Sequence, residues 1–277
     1  MLNININKLE IKSNKKKLVD ISFNIKDSTA LIGESGSGKS LTLKALLNLL
    51  PSSLEIKKDI KSNFELDYNS IGFIPQNPFT SLSSMTKVSD QFFCSQEKKE
   101  EVLNLVDLDK SVLKKFPSQL SGGQIQRVVI AIALSRNIKL LLLDEPTTAL
   151  DEENKNNIIE LINSIKERLN ILILFVTHDI SSIKDICKDI IILKNGEIVE
   201  QGLTNDILSS KREIQFIITS HHPYIINNVD YTKWKLVTRT KGIVKTHSPE
   251  EYNIGKSKHD AFMQLIQLEQ YQTGLEI

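Results

Sequence analysis

The segment Gly33-Glu34-Ser35-Gly36-Ser37-Gly38-Lys39-Ser40 constrains this chain more than any other. It fits the pattern GxxxxGK[ST] and lies between a short apolar run, Thr29–Ile32, and a helix-favouring stretch, Leu41–Leu50, closed by Pro51. A buried strand that feeds a glycine-rich loop into a helix surrounds an anion with backbone N–H groups and the positive end of the helix. Glycine lets the backbone approach phosphate closely, Lys39 reaches the β and γ phosphates, and the Ser40 hydroxyl can ligate Mg²⁺. A plain Gly/Ser turn is the alternative, and the flanking strand and helix disfavour it. The expected ligand is ATP or GTP.

The remaining composition sets bounds. A chain of 277 residues has room for about two domains. With 40% hydrophobic and 25% charged residues it is globular rather than disordered or collagen-like. Lys+Arg 35 against Asp+Glu 34 leaves a formal charge of +1, so no global basic field points to nucleic acid or an anionic membrane. Cys94 and Cys187 lack CxxC spacing and suggest core thiols in a reducing compartment. No apolar run approaches the roughly 18 residues of a membrane span, and Met1 to Lys17 lacks the apolar core of a secretory signal, so the chain is expected in the cytoplasm.

Hydrophobic spacing organises the chain. Ile4, Ile6, Leu9 and Ile11, then Val19, Ile21, Phe23 and Ile25, predict two strands joined across Ser13–Lys17. A polar region without a clear pattern runs to Asn69, followed by a strand at Ile71–Ile74 and a helical segment, broken by turns, from Lys87 to Lys115. Ile125, Val128, Val129, Ile132 and Ala133 recur at helical spacing, and Asn154–Leu169 is a second amphipathic helix. Leu140–Leu143 and Ile171–Val176 read as buried strands. Their alternation with helices implies a parallel sheet covered on both faces. Ile190–Leu193, Asn195-Gly196 and Ile198–Glu200 predict a hairpin, and the main domain is expected to close near Ser210.

Two further segments carry chemistry. Asp144 and Glu145 follow Leu140–Leu143, which puts both carboxylates at the ligand-binding edge of an open α/β sheet. Asp144 is placed to hold Mg²⁺ through water, and Glu145 to polarise the water that attacks the γ-phosphate. Leu120-Ser121-Gly122-Gly123-Gln124 opens the helix that follows and makes a second anion-binding terminus. Two accounts of it stand side by side: an ordinary helix cap, or a contact to the γ-phosphate held by another subunit, with two ATP sandwiched between head-to-tail protomers.

Taken in order, Gly33–Ser40, Gln76, Leu120–Gln124, Leu143–Pro146, Ala149-Leu150-Asp151 and Thr177-His178-Asp179 resemble the motif series of ATP-binding-cassette (ABC) ATPases over about residues 1 to 210. The resemblance implies a phosphate-loop α/β domain with a mixed sheet, a small antiparallel β subdomain and a helical subdomain. It also implies that Gln76 senses Mg²⁺ and the membrane partner, that Asp151 crosses a dimer interface, and that His178 contacts the γ-phosphate as a switch. More narrowly, Phe73-Ile74-Pro75-Gln76-Asn77-Pro78 with Thr80-Ser81-Leu82 and Asp90-Gln91, and Phe116-Pro117-Ser118-Gln119, look like the ATPase subunits of peptide and nickel importers. Leu31–Leu50, with Ser40-Leu41 and the Leu47–Pro51 ending, is most similar to nickel or metallophore importer subunits. That group implies a second ATPase subunit, two permeases, an indirect extracytoplasmic binding protein, and a peripheral place on the cytoplasmic face of the membrane, with cargo a nickel ion, a metal chelate or a short peptide.

The pattern departs in places. The stretch around Lys12 and Ser13 offers no aromatic residue to stack on adenine, and the intervals from Ser40 to Gln76 and from Gln76 to Leu120 are short for the importer group. Beyond about Lys211 a fused or rearranged extension, residues 211–277, is expected. There His222-Pro223-Tyr224-Ile225 partly matches a peptide-importer motif, whereas Gln215–Pro223 resembles the strand and switch histidine of soluble ABC-type ATPases of recombination and phage defence. The second likeness supports a rival function, an ATPase acting on nucleic acid, although no sustained heptads separate Gln76 from Leu120. His221, His222, His247 and His259 lack the spacing of a preset metal site, and the lysines at Lys15–Lys17 and Lys57-Lys58 read as solvated surface.

Overall fold

The computed structural model describes residues 2–147, 152–180, 183–209, 236–240 and 243–247. The chain divides into two compact units, Met1–Lys211 and Arg212–Ile277, each described by itself. In the second unit the described part is a hairpin, β10 (Leu236–Thr240) paired antiparallel with β11 (Ile243–His247). Gln215–Pro223, His221, His222 and His259 lie outside the described residues, as do Ala149-Leu150-Asp151 and the side chain of His247.

The first unit carries two sheets. β1 (Ile4–Ser13) and β2 (Lys16–Ile25) pair antiparallel across a tight turn in which Asn14 and Lys15 both have positive φ. Their alternation places Ile4, Ile6, Leu9, Ile11, Val19, Ile21 and Ile25 in the interior. A third strand, β4 (Glu55–Ser62), pairs antiparallel with β1 and gives the order β2-β1-β4. It lies in the region that showed no pattern. Apart from Ile56 and Ile60 its side chains are polar and mostly exposed, so pairing and not burial holds it, and the lysines along it guard a free edge.

The second sheet has the order β5-β6-β7-β3-β8-β9, built from β3 (Ser28–Gly33), β5 (Ile71–Ile74), β6 (Leu140–Asp144), β7 (Leu172–Thr177), β8 (Asp189–Lys194) and β9 (Glu197–Leu203). All neighbours are parallel except β8 and β9, which form the hairpin expected from Asn195-Gly196. β3, β5, β6 and β7 are buried on both faces, as near-continuous apolar runs require, whereas the antiparallel edge strand β9 is mostly exposed. Ala30, Leu141, Leu143, Ile173 and Phe175 face a core shared with α2 (Gln96–Leu105), α3 (Gly122–Leu134) and α4 (Glu152–Leu169). Leu31, Leu140, Leu142, Leu172, Leu174 and Val176 face the opposite core, closed by α1 (Lys39–Leu46) and the antiparallel sheet. The first unit ends on α5 (Thr204–Ser209).

Two local outcomes differ from the sequence expectation. The helix after the phosphate loop stops at Leu46 rather than Leu50, because Asn48 takes a left-handed φ of 56°. The Leu49 N–H then bonds back to the Lys44 carbonyl at 2.8 Å and the Asn48 N–H to Ala45 at 3.3 Å, a Schellman closure with asparagine in the glycine position. The segment from Lys87 to Lys115 contains one α-helix, α2, capped by the Ser95 hydroxyl. The rest is 3-10 turn at Val88–Gln91 and Lys110–Lys114.

The β8–β9 turn reaches the phosphate loop directly. Gly196 has φ 80°, its N–H donates to the Ser37 carbonyl at 3.0 Å, and its carbonyl accepts from the Asp20 N–H at 2.7 Å. A Cβ there would lie 2.1 Å from the Leu18 carbonyl oxygen, which is backbone and cannot swing aside. Gly196→Ala is therefore expected to lower the free energy of unfolding by about 2–4 kcal/mol, measured by urea denaturation; a loss below about 0.5 kcal/mol would show that the loop does not depend on this contact.

Candidate functional site

The phosphate loop runs from the end of β3 into α1. Gly36 and Gly38 have φ 81° and 109°, and Gly38 caps α1 while its carbonyl accepts from the N–H and hydroxyl of Thr42, at 2.9 and 3.0 Å. A side chain at Gly33 would meet the Ser37 oxygen at 2.4 Å and the Leu193 carbonyl at 2.5 Å, and one at Gly38 would meet Val19 at 2.8 Å. Glycine at these places is a packing requirement as well as a conformational one. Ser37 is buried, and its hydroxyl has no hydrogen-bond partner among the described residues. The ammonium of Lys39 bonds to the carbonyls of Gly33 at 2.6 Å and Glu34 at 3.0 Å, which holds the lysine along the loop. Glu34, Ser35 and Ser40 are exposed at its rim. Glycine amides, a buried cation and a helix N-terminus form a donor set that fits a polyphosphate.

Parallel register brings three strand ends together. Ile74 pairs with Leu143 and Leu143 with Phe175, so Gln76, Glu145 and His178 leave β5, β6 and β7 at nearly one level. Gln76 Nε2 donates to Glu145 Oε2 at 3.1 Å, and His178 Nδ1 lies 3.1 Å from Glu145 Oε1. Glu145 thus bridges the two other residues predicted to be catalytic. It has φ 49°, an unusual conformation for glutamate that costs on the order of 1 kcal/mol or more, and its N–H is fixed to the Val176 carbonyl at 2.8 Å. Its carboxylate is largely covered, whereas His178 is 55% exposed and faces outward.

Charge is concentrated beneath this bridge. Burial pulls the Lys39 ammonium below its usual pKa, against the opposing pull of Glu145 and Asp144. Burial pushes the Asp144 carboxyl up, and the neighbouring Glu145 charge adds to it, while Lys39 and Lys44 oppose. Ser40, Gln76 and Asp144, the residues expected at Mg²⁺, thus belong to α1, the β5 exit and the β6 end, with Glu145, Lys39 and Lys44 as the charges acting on Asp144. Oxygen donors from a hydroxyl, an amide and a carboxylate suit a hard divalent cation. Among the described residues no group of three or more His, Cys, Asp or Glu converges as a metal cluster.

The second predicted terminus is built as a capping box. The Ser121 hydroxyl accepts from the Gln124 N–H at 3.3 Å, and the Gln124 side chain accepts from the Ser121 N–H at 3.1 Å. The turn after Gln76 reaches this tip, since a side chain at Gly122 would meet the Phe79 ring at 3.3 Å. Asp151 lies outside the described residues. Two contacts were not anticipated. Lys155 of α4 is buried and pairs with Asp179, whose N–H donates to the Thr177 hydroxyl at 2.9 Å. Gln126 of α3, also buried, donates to the Pro146 carbonyl at 2.7 Å. The available signal for Gln126 was a polar residue inside the apolar run Ile125–Leu134.

Comparison with known proteins agrees with this geometry. The family model described as ABC transporter matches residues 17–148. The oligopeptide transport ATP-binding protein AppD of Bacillus subtilis is 35% identical over 217 residues, covering 68% of this chain and 66% of AppD. The metal-staphylopine import system ATP-binding protein CntD of Staphylococcus aureus is 31% identical over 250 residues, covering 80% and 86%. The nickel import system ATP-binding protein NikD of Staphylococcus aureus is 33% identical over 256 residues, covering 82% and 95%. Among solved structures, cbiO1 from Clostridium perfringens, part of the ABC transporter complex cbiONQ, matches at TM-score 0.64 and 28% identity over 75% of this chain and 91% of its own. A dimeric ATP-binding cassette in a post-hydrolysis state, bound to ADP and Pi, matches at TM-score 0.59 and 26% identity over 73% and 98%.

The raised Asp144 pKa has a measurable sign. A carboxyl whose folded pKa lies above its unfolded value of 3.8 weighs against folding once pH passes that value, and has no effect below it. Asp144→Asn is expected to raise the melting temperature of the nucleotide-free protein by about 2–4 °C at pH 7, and by nothing near pH 3.5. Calorimetry across this range checks it, and a variant less stable than the parent at pH 7 would contradict it.

Proposed function

Because the chain belongs to the ABC transporter family of ATP-binding proteins and is an ATPase, we propose that it energises import of nickel, a metal chelate or a short peptide through separate permease subunits. The relatives that are nickel, metal-staphylopine and oligopeptide import proteins support the cargo class. The observation that carries the catalytic assignment is the bridging of Glu145 by Gln76 and His178. The catalytic unit is residues 1–210, with 211–277 an extension.

In this reading Gly33–Ser40 bind the ATP phosphates, with Lys39 turning from the loop carbonyls to the β and γ phosphates. Ser40, Gln76 and Asp144 hold Mg²⁺, which when bound neutralises phosphate charge. Glu145 accepts a proton from water as its oxygen attacks the γ-phosphorus and the bond to the ADP oxygen breaks, yielding ADP and phosphate. His178 contacts the γ-phosphate as a switch and, through Nδ1, keeps the carboxylate aimed. Ser121, Gly122, Gly123 and Gln124 cap the γ-phosphate held by a second ATPase subunit, alike or homologous, and Asp151 meets that subunit across the interface. The dimeric arrangement of the solved cassette with ADP and Pi supports this pairing.

A shallow groove of about 350 Å³ beside the Gln76 turn, lined by Phe73, Pro75, Leu82, Val129, Ile132 and Arg136, suits a permease segment. Pressure there acts on the strand exit that carries Gln76, so substrate delivery and hydrolysis meet at one residue. No helix among the described residues is long and apolar enough to cross a membrane, in keeping with a peripheral subunit at the cytoplasmic face and with cargo selection by permeases and an extracytoplasmic binding protein.

Glu145→Gln should keep ATP affinity within about threefold and lower kcat by at least about 100-fold; unchanged turnover would remove Glu145 from the base role. Affinity purification from detergent-solubilised membranes should recover two permeases and a companion ATPase, whereas nucleic acid alone would overturn the transport assignment.

A further inference from the structure

The carboxylate of Glu145 is aimed by Gln76 and His178, but the backbone that carries it is held at two other points. One is its own N–H, bonded to the Val176 carbonyl at 2.8 Å. The other is the carbonyl of the next residue, Pro146, which accepts from the Gln126 side-chain amide at 2.7 Å in a buried position. Gln126 is 2% exposed, and Ile125, Val128, Val129 and Ile130 beside it in the sequence of α3 are buried as well. A buried amide that has given up water is kept for the bond it makes.

We propose that Gln126 is a positioning residue, tying the Ser121–Gln124 end of α3 to the Glu145–Pro146 turn. Whatever binds the tip of α3 then sets where the catalytic carboxylate stands. The inference rests on the assignment of that tip to the partner's γ-phosphate. Gln126 is the fifth residue of the helix, about 6 Å along the axis from Gly122, and the intervening backbone moves as one hydrogen-bonded rod. The apolar contacts of α3 resist separation but are non-directional and tolerate small slides. A 2.7 Å hydrogen bond does not, because its energy falls steeply with distance and angle. Axial or rotational displacement of the tip is therefore passed to the Pro146 carbonyl. From there it reaches Glu145, which is joined to Pro146 by one peptide bond and whose own N–H is held by the Val176 carbonyl. Phosphate gripped at one site of a dimer would in this way set the carboxylate of the other, since each chain carries its own α3 tip and its own Glu145 at different nucleotides.

The test uses the full chain with Gln126→Met, which keeps nearly the same volume and removes the donor, and Gln126→Asn, which keeps an amide but is one methylene too short. The expected result for Gln126→Met is a kcat per active site lowered about 10- to 100-fold with KM for ATP changed less than about threefold. In a Glu145→Gln background, ATP-driven dimer closure followed by analytical ultracentrifugation should persist with Gln126→Met. A purely structural role would lower the melting temperature and the active fraction but leave kcat per active site unchanged, and that outcome overturns the proposal. Should Gln126→Met fail to fold, Gln126→Asn decides by the same split. If Glu145→Gln alone, with Gln126 intact, fails to close on ATP, the phosphate-capping assignment falls and this proposal with it. If closure persists and turnover is unchanged, only the role of Gln126 falls.

Discussion

The nucleotide-binding face depends on the register of four parallel strands. Ile74 opposite Leu143, Leu143 opposite Phe175 and Ile32 opposite Thr177 put the exits of β5, β6, β7 and β3 on one edge. Gln76, Glu145, His178 and the phosphate loop leave the sheet from those exits. Register is fixed because both faces are buried and differ in what they pack against: Leu141 and Leu143 meet the helical side, Leu140 and Leu142 the side of α1 and the antiparallel sheet. A slip of one residue would exchange the two sets and carry the carboxylates to the wrong level. Chemistry here is positioned by apolar packing that takes no part in it.

The same edge accumulates unfavourable electrostatics. Burial raises the Asp144 pKa and lowers that of Lys39, so each loses part of its preference for the charged state. Asp144 and Glu145 oppose the fall at Lys39, and Lys39 opposes the rise at Asp144. This balance suits a site that receives a polyanion and a divalent cation at once. Added charges of both signs can be accommodated by redistributing pairs already present. The loop is braced from outside by Gly196 and by the close approach of Val19 to Gly38, so the cost of holding charge is met by hairpin and sheet packing elsewhere.

Much of this was legible in the sequence, for identifiable reasons. Parallel strands appear as continuous apolar runs, and Leu140–Leu143 and Ile171–Val176 lie where β6 and β7 form. Asn195-Gly196 foretold a turn with two positive φ angles. The strand β4 was hidden because an edge strand with one exposed face needs no apolar alternation; its partner β1 supplies its reason to exist. The end of α1 was placed at a proline, whereas Asn48 ended the helix earlier by accepting a left-handed conformation. At the site, the strand end named Glu145 and the resemblance to ABC ATPases named Gln76 and His178, but neither told that one carboxylate joins the other two. The partners of Gln126 and of Lys155 were illegible because they are long-range contacts; a polar residue inside an apolar run marked Gln126 as unusual but did not name Pro146.

The two accounts of Ser121–Gln124, helix cap or phosphate contact, are compatible at the level of lone pairs and protons. A serine hydroxyl has one proton to donate and two lone pairs to accept with. In the capping box Ser121 uses an acceptor site toward the Gln124 N–H, which leaves its proton for an outside oxygen. The first-turn N–H groups of a helix have no intrahelical acceptor, so those of Gly122 and Gly123 point the same way, and the absence of a Cβ lets an anion approach them. The Gln124 side chain closes back on the Ser121 N–H and holds the hydroxyl in place. The cap is then the device that aims the serine proton, and the stability it contributes to α3 and its use in binding a partner's phosphate come from a single arrangement of atoms.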